Sequence, residues 1–131
     1  MSTQARMPAT LPTPAAARSQ LRLARDDARA KRNTYDDLKE RLAAARDEMK
    51  TAGAEVEEAE GDMLVADADS AEEKAASNAH QKAWQRMRRA ELDYDKVKAT
   101  RGNAQHELKK ALALLATARE ELEAVREGRR R

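Results

Sequence analysis

From Ala76 to Val125, the residues met every three and four places are Ala76, His80, Ala83, Met87, Ala90, Tyr94, Val97, Arg101, Ala104, Leu108, Ala111, Leu115, Ala118, Leu122 and Val125. This spacing keeps one side of an α-helix turned inward for about seven heptads, with bulky and small residues taking turns. No strand pattern and no compact globular core agree with it. The first half carries a matching seam of Ala17, Leu21, Ala24, Ala28, Lys31, Tyr35, Leu38, Leu42, Ala45, Met49, Ala52, Val56, Ala59, Met63 and Ala66.

The two seams are out of phase. Carrying the first register past Ala66 would bury Ser70, Glu73, Ser77 and Trp84, whereas the second half requires Ala76, Ala83 and Met87 inside. Asp67, Asp69 and Ser70 are poor helix-interior residues, and Ser70-x-x-Glu73 is a capping-box pattern. The expected arrangement is a helix over about 14–67, a turn at 67–70 and a second helix over about 71–127. Thr13 serves as N-cap with Pro14 at the first helical position. Gly128 is the expected C-terminal stop, with Arg126 in the last turn. Residues 1–12 hold two of the three prolines and read as an extended tail, while 129–131 read as a basic tail. A single rod with a stutter would also absorb the phase jump. It would leave the cap and the size matching without a cause.

Folding the chain near residue 69 sets Met63 against Ala76, Ala52 against Met87, Met49 against Ala90 and Ala45 against Tyr94. It sets Leu42 against Val97, Tyr35 against Ala104, Ala24 against Leu115 and Leu21 against Ala118. Nearly every layer pairs a large residue with a small one, as closely approaching helices need. The same register predicts Trp84 over Gly53, His80 opposite Ala59, Lys31 opposite Leu108 and Arg101 opposite Leu38. The fold class is therefore all-α: a long antiparallel two-helix coiled-coil hairpin spanning 13–128. Its helices of about 55 residues would each extend about 80 Å. A two-helix core is thin for independent stability, so association into a larger helical bundle is expected.

Composition agrees. Charged residues are 38% of the 131, aromatic residues 2%, and cysteine is absent. Alanine is about one residue in five, a composition of long helices. Mean hydropathy of −0.95 suits disorder at the ends, but the periodicity argues against it in the middle. Net charge is only +2, so the strongly basic total of a nucleic-acid binder is missing. No apolar run approaches the length of a membrane span, and the N-terminus lacks a signal-peptide core. A cytoplasmic protein, or one packaged in an assembly such as a virion, is expected.

Chemistry has little to work with. His80 and His106 are the only histidines, and neither has a partner at metal-ligand spacing. Gly-rich phosphate loops and nucleophilic triads are missing. Acidic pairs such as Asp26-Asp27 and Glu57-Glu58 are expected to be solvated. The sequence predicts no catalytic, metal or cofactor site, and no enzyme.

Association has more. Lys31 and Arg101 occupy seam positions, where polar residues can set register and partner choice; the bland alternative lays their methylenes over leucine. Leu11, Leu23, Leu112 and Leu114 fall outside the seam and form the expected interaction patch. Met63-Leu64-Val65 is a smaller one. Arg18, Arg22, Arg25, Arg29, Lys31 and Arg32, with Arg129, Arg130 and Arg131, gather bases toward the chain ends, whereas Glu55 to Glu73 holds nine acids and no base. The expected function is that of a coiled-coil structural or assembly protein: a scaffold, spacer or minor component, including in bacteriophage particles by compositional analogy. Its expected partners are its own copies or another protein. The alternative is a regulator or adaptor that touches nucleic acid through the basic end, by phosphates and without base reading.

Overall fold

A computed structural model describes residues 11–130, the side chains of Arg129 and Arg130 excepted. The tail expected over 1–12 and the terminal Arg131 fall largely or wholly outside those residues. Two helices, α1 (Pro14–Val65) and α2 (Ala71–Arg130), pack against each other as a helical hairpin, and the described residues contain no strand.

Local chemistry accounts for the start of each helix. The Thr13 hydroxyl accepts the Ala16 amide at 3.1 Å, and the Thr13 carbonyl accepts the Ala17 amide at 2.8 Å. Pro14 follows at a position where a missing N–H costs nothing. At the turn, the Ser70 hydroxyl accepts the Glu73 amide at 3.1 Å and donates to the Asp67 carbonyl at 2.6 Å. The Ser70 amide donates to the same carbonyl at 3.3 Å, closing a four-residue turn. Asp69, third in that turn, has φ 59°, the left-handed region that a type II turn requires there and that Asp tolerates better than most residues. Glu72 and Glu73 lie in the first turn of α2, where negative charge suits the helix dipole.

Two boundaries differ from the sequence expectation. Helix α1 stops at Val65, two residues early, ahead of the turn that Asp67 and Ser70 close. Helix α2 continues through Gly128 to Arg130. No glycine has positive φ, so Gly128 does not form the left-handed cap expected of it.

Packing divides the chain into two units. One takes the described residues up to Tyr35 with those from Ala104 onward. In it Ala17 packs with Leu122 and Val125, and Ala28 packs with Ala111 and Leu115, with Leu21 and Ala24 against them. The other unit is Asp36–Asn103. There Val56, Ala59 and Ala83 form a cluster with Met87 against it. Every buried hydrophobic residue, from Ala17 to Val125, stands at the three-four spacing. The small residues among them let the two backbones approach, and the large ones fill the layers between.

Gly53, Gly61, Gly102 and Gly128 serve no steric purpose here: a methyl group on any of them would meet nothing within 4 Å. This corrects the pairing of Trp84 with Gly53. Trp84 is 41% exposed, and its ring meets His80 edge to face, centroids 6.3 Å apart.

Candidate interaction surface

The face a residue occupies follows from its place relative to the seam. One residue advances a helix by about 100°. In an antiparallel pair, the residues just after the buried positions fall on one side of both helices, and those just before fall on the other. This divides the exposed leucines. Leu23 (69% exposed) and Leu114 (62%) precede Ala24 and Leu115, which share one cluster. Leu112 (38%) follows Ala111 and lies about 200° around α2 from Leu114, on the opposite side. Leu11 is 53% exposed ahead of α1. The four residues of the expected patch therefore do not make a single surface.

On the side of Leu23 and Leu114, two threonine hydroxyls are engaged along their own helices. The Thr34 hydroxyl donates to the Ala30 carbonyl at 3.1 Å, and the Thr117 hydroxyl donates to the Ala113 carbonyl at 3.1 Å. Each threonine thus shows a methyl outward and keeps its donor at home.

The other side is basic. Arg18, Arg22, Arg25, Arg29 and Arg32 each follow a seam residue, so all five line one face of α1 and all are exposed. Among the described residues none of the five forms an ion pair. Arg129 and Arg130 end α2, but their side chains lie outside the described set. The register candidates behave differently from each other. Lys31 is half-buried and pairs along its own helix with Asp27 at 3.9 Å. Arg101 is half-buried too, and its Nε is buried without a hydrogen-bond partner.

The seam residues themselves are covered. Leu38, Leu42, Val56, Leu108, Leu115 and Leu122 are buried, and Leu21, Tyr35, Met49, Met63, Met87, Tyr94 and Val97 are half-buried. Beside Tyr94, the Arg46 guanidinium carbon stands 6.0 Å from the ring centre. Hydrogen bonding from Arg46 lowers the phenol pKa below the ordinary 10.0, helped by the charges of Arg46, Lys98 and Arg101 and opposed by burial.

Three side-chain partnerships in Asp36–Asn103 had no signal in the seam pattern. Arg86 pairs with Glu55 across the helices. His80 Nε2 lies 3.4 Å from Glu60, and Trp84 donates to that same nitrogen at 3.1 Å. Such flank contacts depend on side-chain rotamers that spacing alone does not specify.

Among the described residues no three His, Cys, Asp or Glu side chains gather as a metal site. No described helix is long and apolar enough to cross a membrane. No protein-family model, curated protein or solved structure matches this chain.

Proposed function

We propose that this chain is a non-enzymatic structural or assembly protein that works by helix–helix association, its hairpins joining into a coiled-coil bundle. One observation carries the reading. The face bearing Leu23 and Leu114 is left uncovered by the hairpin's own seam, while its threonine hydroxyls are already bonded. Apolar groups spaced along a charged helix pair favour a second helix pair as cover. Two hairpins meeting on this face would build a four-helix bundle with the same patch contributed by both. A scaffold, spacer or minor structural component of a larger particle, a phage virion included, is the role such a bundle fits, in the cytoplasm or inside the particle.

Light scattering tests this on wild type and on Leu23→Glu/Leu114→Glu. The wild type is expected to be a dimer or larger and the double variant a monomer. A wild type that stays monomeric at high concentration would refute the assembly reading. The exposed arginines of α1 support one second reading, a nucleic-acid-associated regulator or adaptor. Salt-sensitive retardation of DNA or RNA on a gel would favour it.

A further inference from the structure

The arginine face has a complement within the same molecule. Arg18, Arg22, Arg25, Arg29 and Arg32 rise in steps of four, three, four and three residues along about 21 Å of α1, exposed and without ion-pair partners among the described residues. Leu112 stands on the same side at the companion helix. The unit Asp36–Asn103 holds the acidic run Glu55 to Glu73, with nine acids and no base. Glu55 and Glu60 are engaged by Arg86 and His80. Glu57, Glu58 and Asp62 are exposed and form no ion pair among the described residues. Beside them Leu64 and Val65 are 85% and 82% exposed.

We infer that the arginine face of one copy docks on the acidic turn region of a second copy, head to tail. This rests on the assembly reading above but uses a separate contact, made through charged groups and not through Leu23 and Leu114. Charge balance favours a second copy over nucleic acid as the occupant. The chain totals only +2, so its bases barely exceed its acids, and the arginine run and the acidic run occupy different stretches of the chain. A phosphate binder of this size would carry a clear surplus. Leu112 stands on the arginine side and Leu64 on the side of Glu57, each an apolar residue to be covered when the charges meet. Because the two surfaces differ, the contact is heterologous. Repeated, it extends into a chain or closes into a ring.

Sedimentation velocity on the full chain and on two charge-reversed variants tests the inference. One variant is Arg22→Glu/Arg25→Glu/Arg29→Glu. The other is Glu57→Arg/Glu58→Arg/Asp62→Arg, which leaves the Glu55 and Glu60 partnerships intact. Wild-type association beyond the hairpin pair should weaken as NaCl is raised from about 0.05 to about 0.5 M. Each variant alone should associate at least about tenfold more weakly, and mixing the two, which makes both surfaces complementary again, should restore association. Helicity by circular dichroism checks folding. The milder Arg22→Gln/Arg25→Gln/Arg29→Gln should show the same loss if reversal itself disturbs the fold.

Wild-type-like association of both variants, or no restoration on mixing, overturns the inference. Salt-sensitive binding of duplex DNA without salt-sensitive self-association would also overturn it, by giving the arginines to phosphates. If Leu23→Glu/Leu114→Glu abolishes assembly while the charge variants change nothing, the assembly reading stands and the head-to-tail contact falls.

Discussion

The indole of Trp84 donates to Nε2 of His80 at 3.1 Å, and that nitrogen also lies 3.4 Å from a carboxylate oxygen of Glu60. It cannot serve both neighbours in one protonation state. A neutral ring that accepts from Trp84 has a lone pair at Nε2, whereas a doubly protonated ring has only a proton to give and turns it toward Glu60. His80→Phe removes the acceptor of the indole N–H and should change the emission of Trp84, the only tryptophan in the chain. Emission unchanged in that variant would dismiss the partnership.

The turn offers a second measurement. Ser70→Ala removes the acceptor for the Glu73 amide and a donor to Asp67, and should cost about 1 kcal/mol in denaturant unfolding. Asp69 holds φ 59°, so Asp69→Gly should be neutral or mildly stabilising. Asp69→Val should destabilise by about 1 kcal/mol or more. Equal stability of the glycine and valine variants would contradict this turn geometry.

Core size matching predicts opposite errors at neighbouring positions. Ala111, 2% exposed, packs with Ala28 and Leu115. Ala111→Leu should force the helices apart and cost about 1–3 kcal/mol. Leu115→Ala should cost about 2–3 kcal/mol through lost burial and a cavity that a two-helix core partly closes. If Ala111→Leu stabilises the protein instead, the helices are not in close contact there.

Arg101 places a buried Nε without a hydrogen-bond partner in the seam. Arg101→Leu should raise stability by about 1 kcal/mol or more, since it removes an unsatisfied donor and adds apolar cover. If the arginine also sets register, the same variant should lose a single defined oligomeric state in light scattering. Unchanged assembly would leave Arg101 no specificity role.

Tyr94 gives a pH dependence with a definite sign. Its folded pKa lies below the ordinary 10.0, first through the hydrogen bond from Arg46. A lowered acid pKa means that the folded state releases its proton sooner. The linked stability is present above the unfolded value and is lost as pH falls through the folded one. Arg46→Met should therefore weaken the protein more at strongly alkaline pH than at pH 7, and should move the tyrosinate absorbance step upward. Tyr94→Phe identifies which step belongs to this residue. An Arg46→Met titration identical to wild type would deny the hydrogen bond.

How much of this was legible from residues alone depends on the kind of interaction. That the chain is all-helical with two helices was legible from two seams, one phase jump and the size matching between them, since a stutter would absorb the jump but leave the matching without a cause. Ser70-x-x-Glu73 marked the start of the second helix, since a hydroxyl at that spacing reaches the amide three residues on. The end of α1 was not legible to the residue. Helix ends shift by a residue or two with the backbone angles of the turn that follows, here the one closed between Asp67 and Ser70. The Trp84–Gly53 pairing failed for a related reason: the indole found a partner one turn away on its own helix before it found space across the seam. The patch of four leucines split because lying off the seam does not say on which side of it: Leu112 follows a seam residue and Leu114 precedes one.

Helix glycines with no crowding neighbour have one more consequence. Gly53, Gly61 and Gly102 sit where alanine would fit freely, and each forgoes about 1 kcal/mol of helix stability. Amide hydrogen exchange should register them as the places where the backbone ladder opens ahead of the alanine-rich turns around them. Replacing all three with alanine should close those openings and raise the melting temperature. The natural molecule keeps three points at which it can breathe without parting its seam.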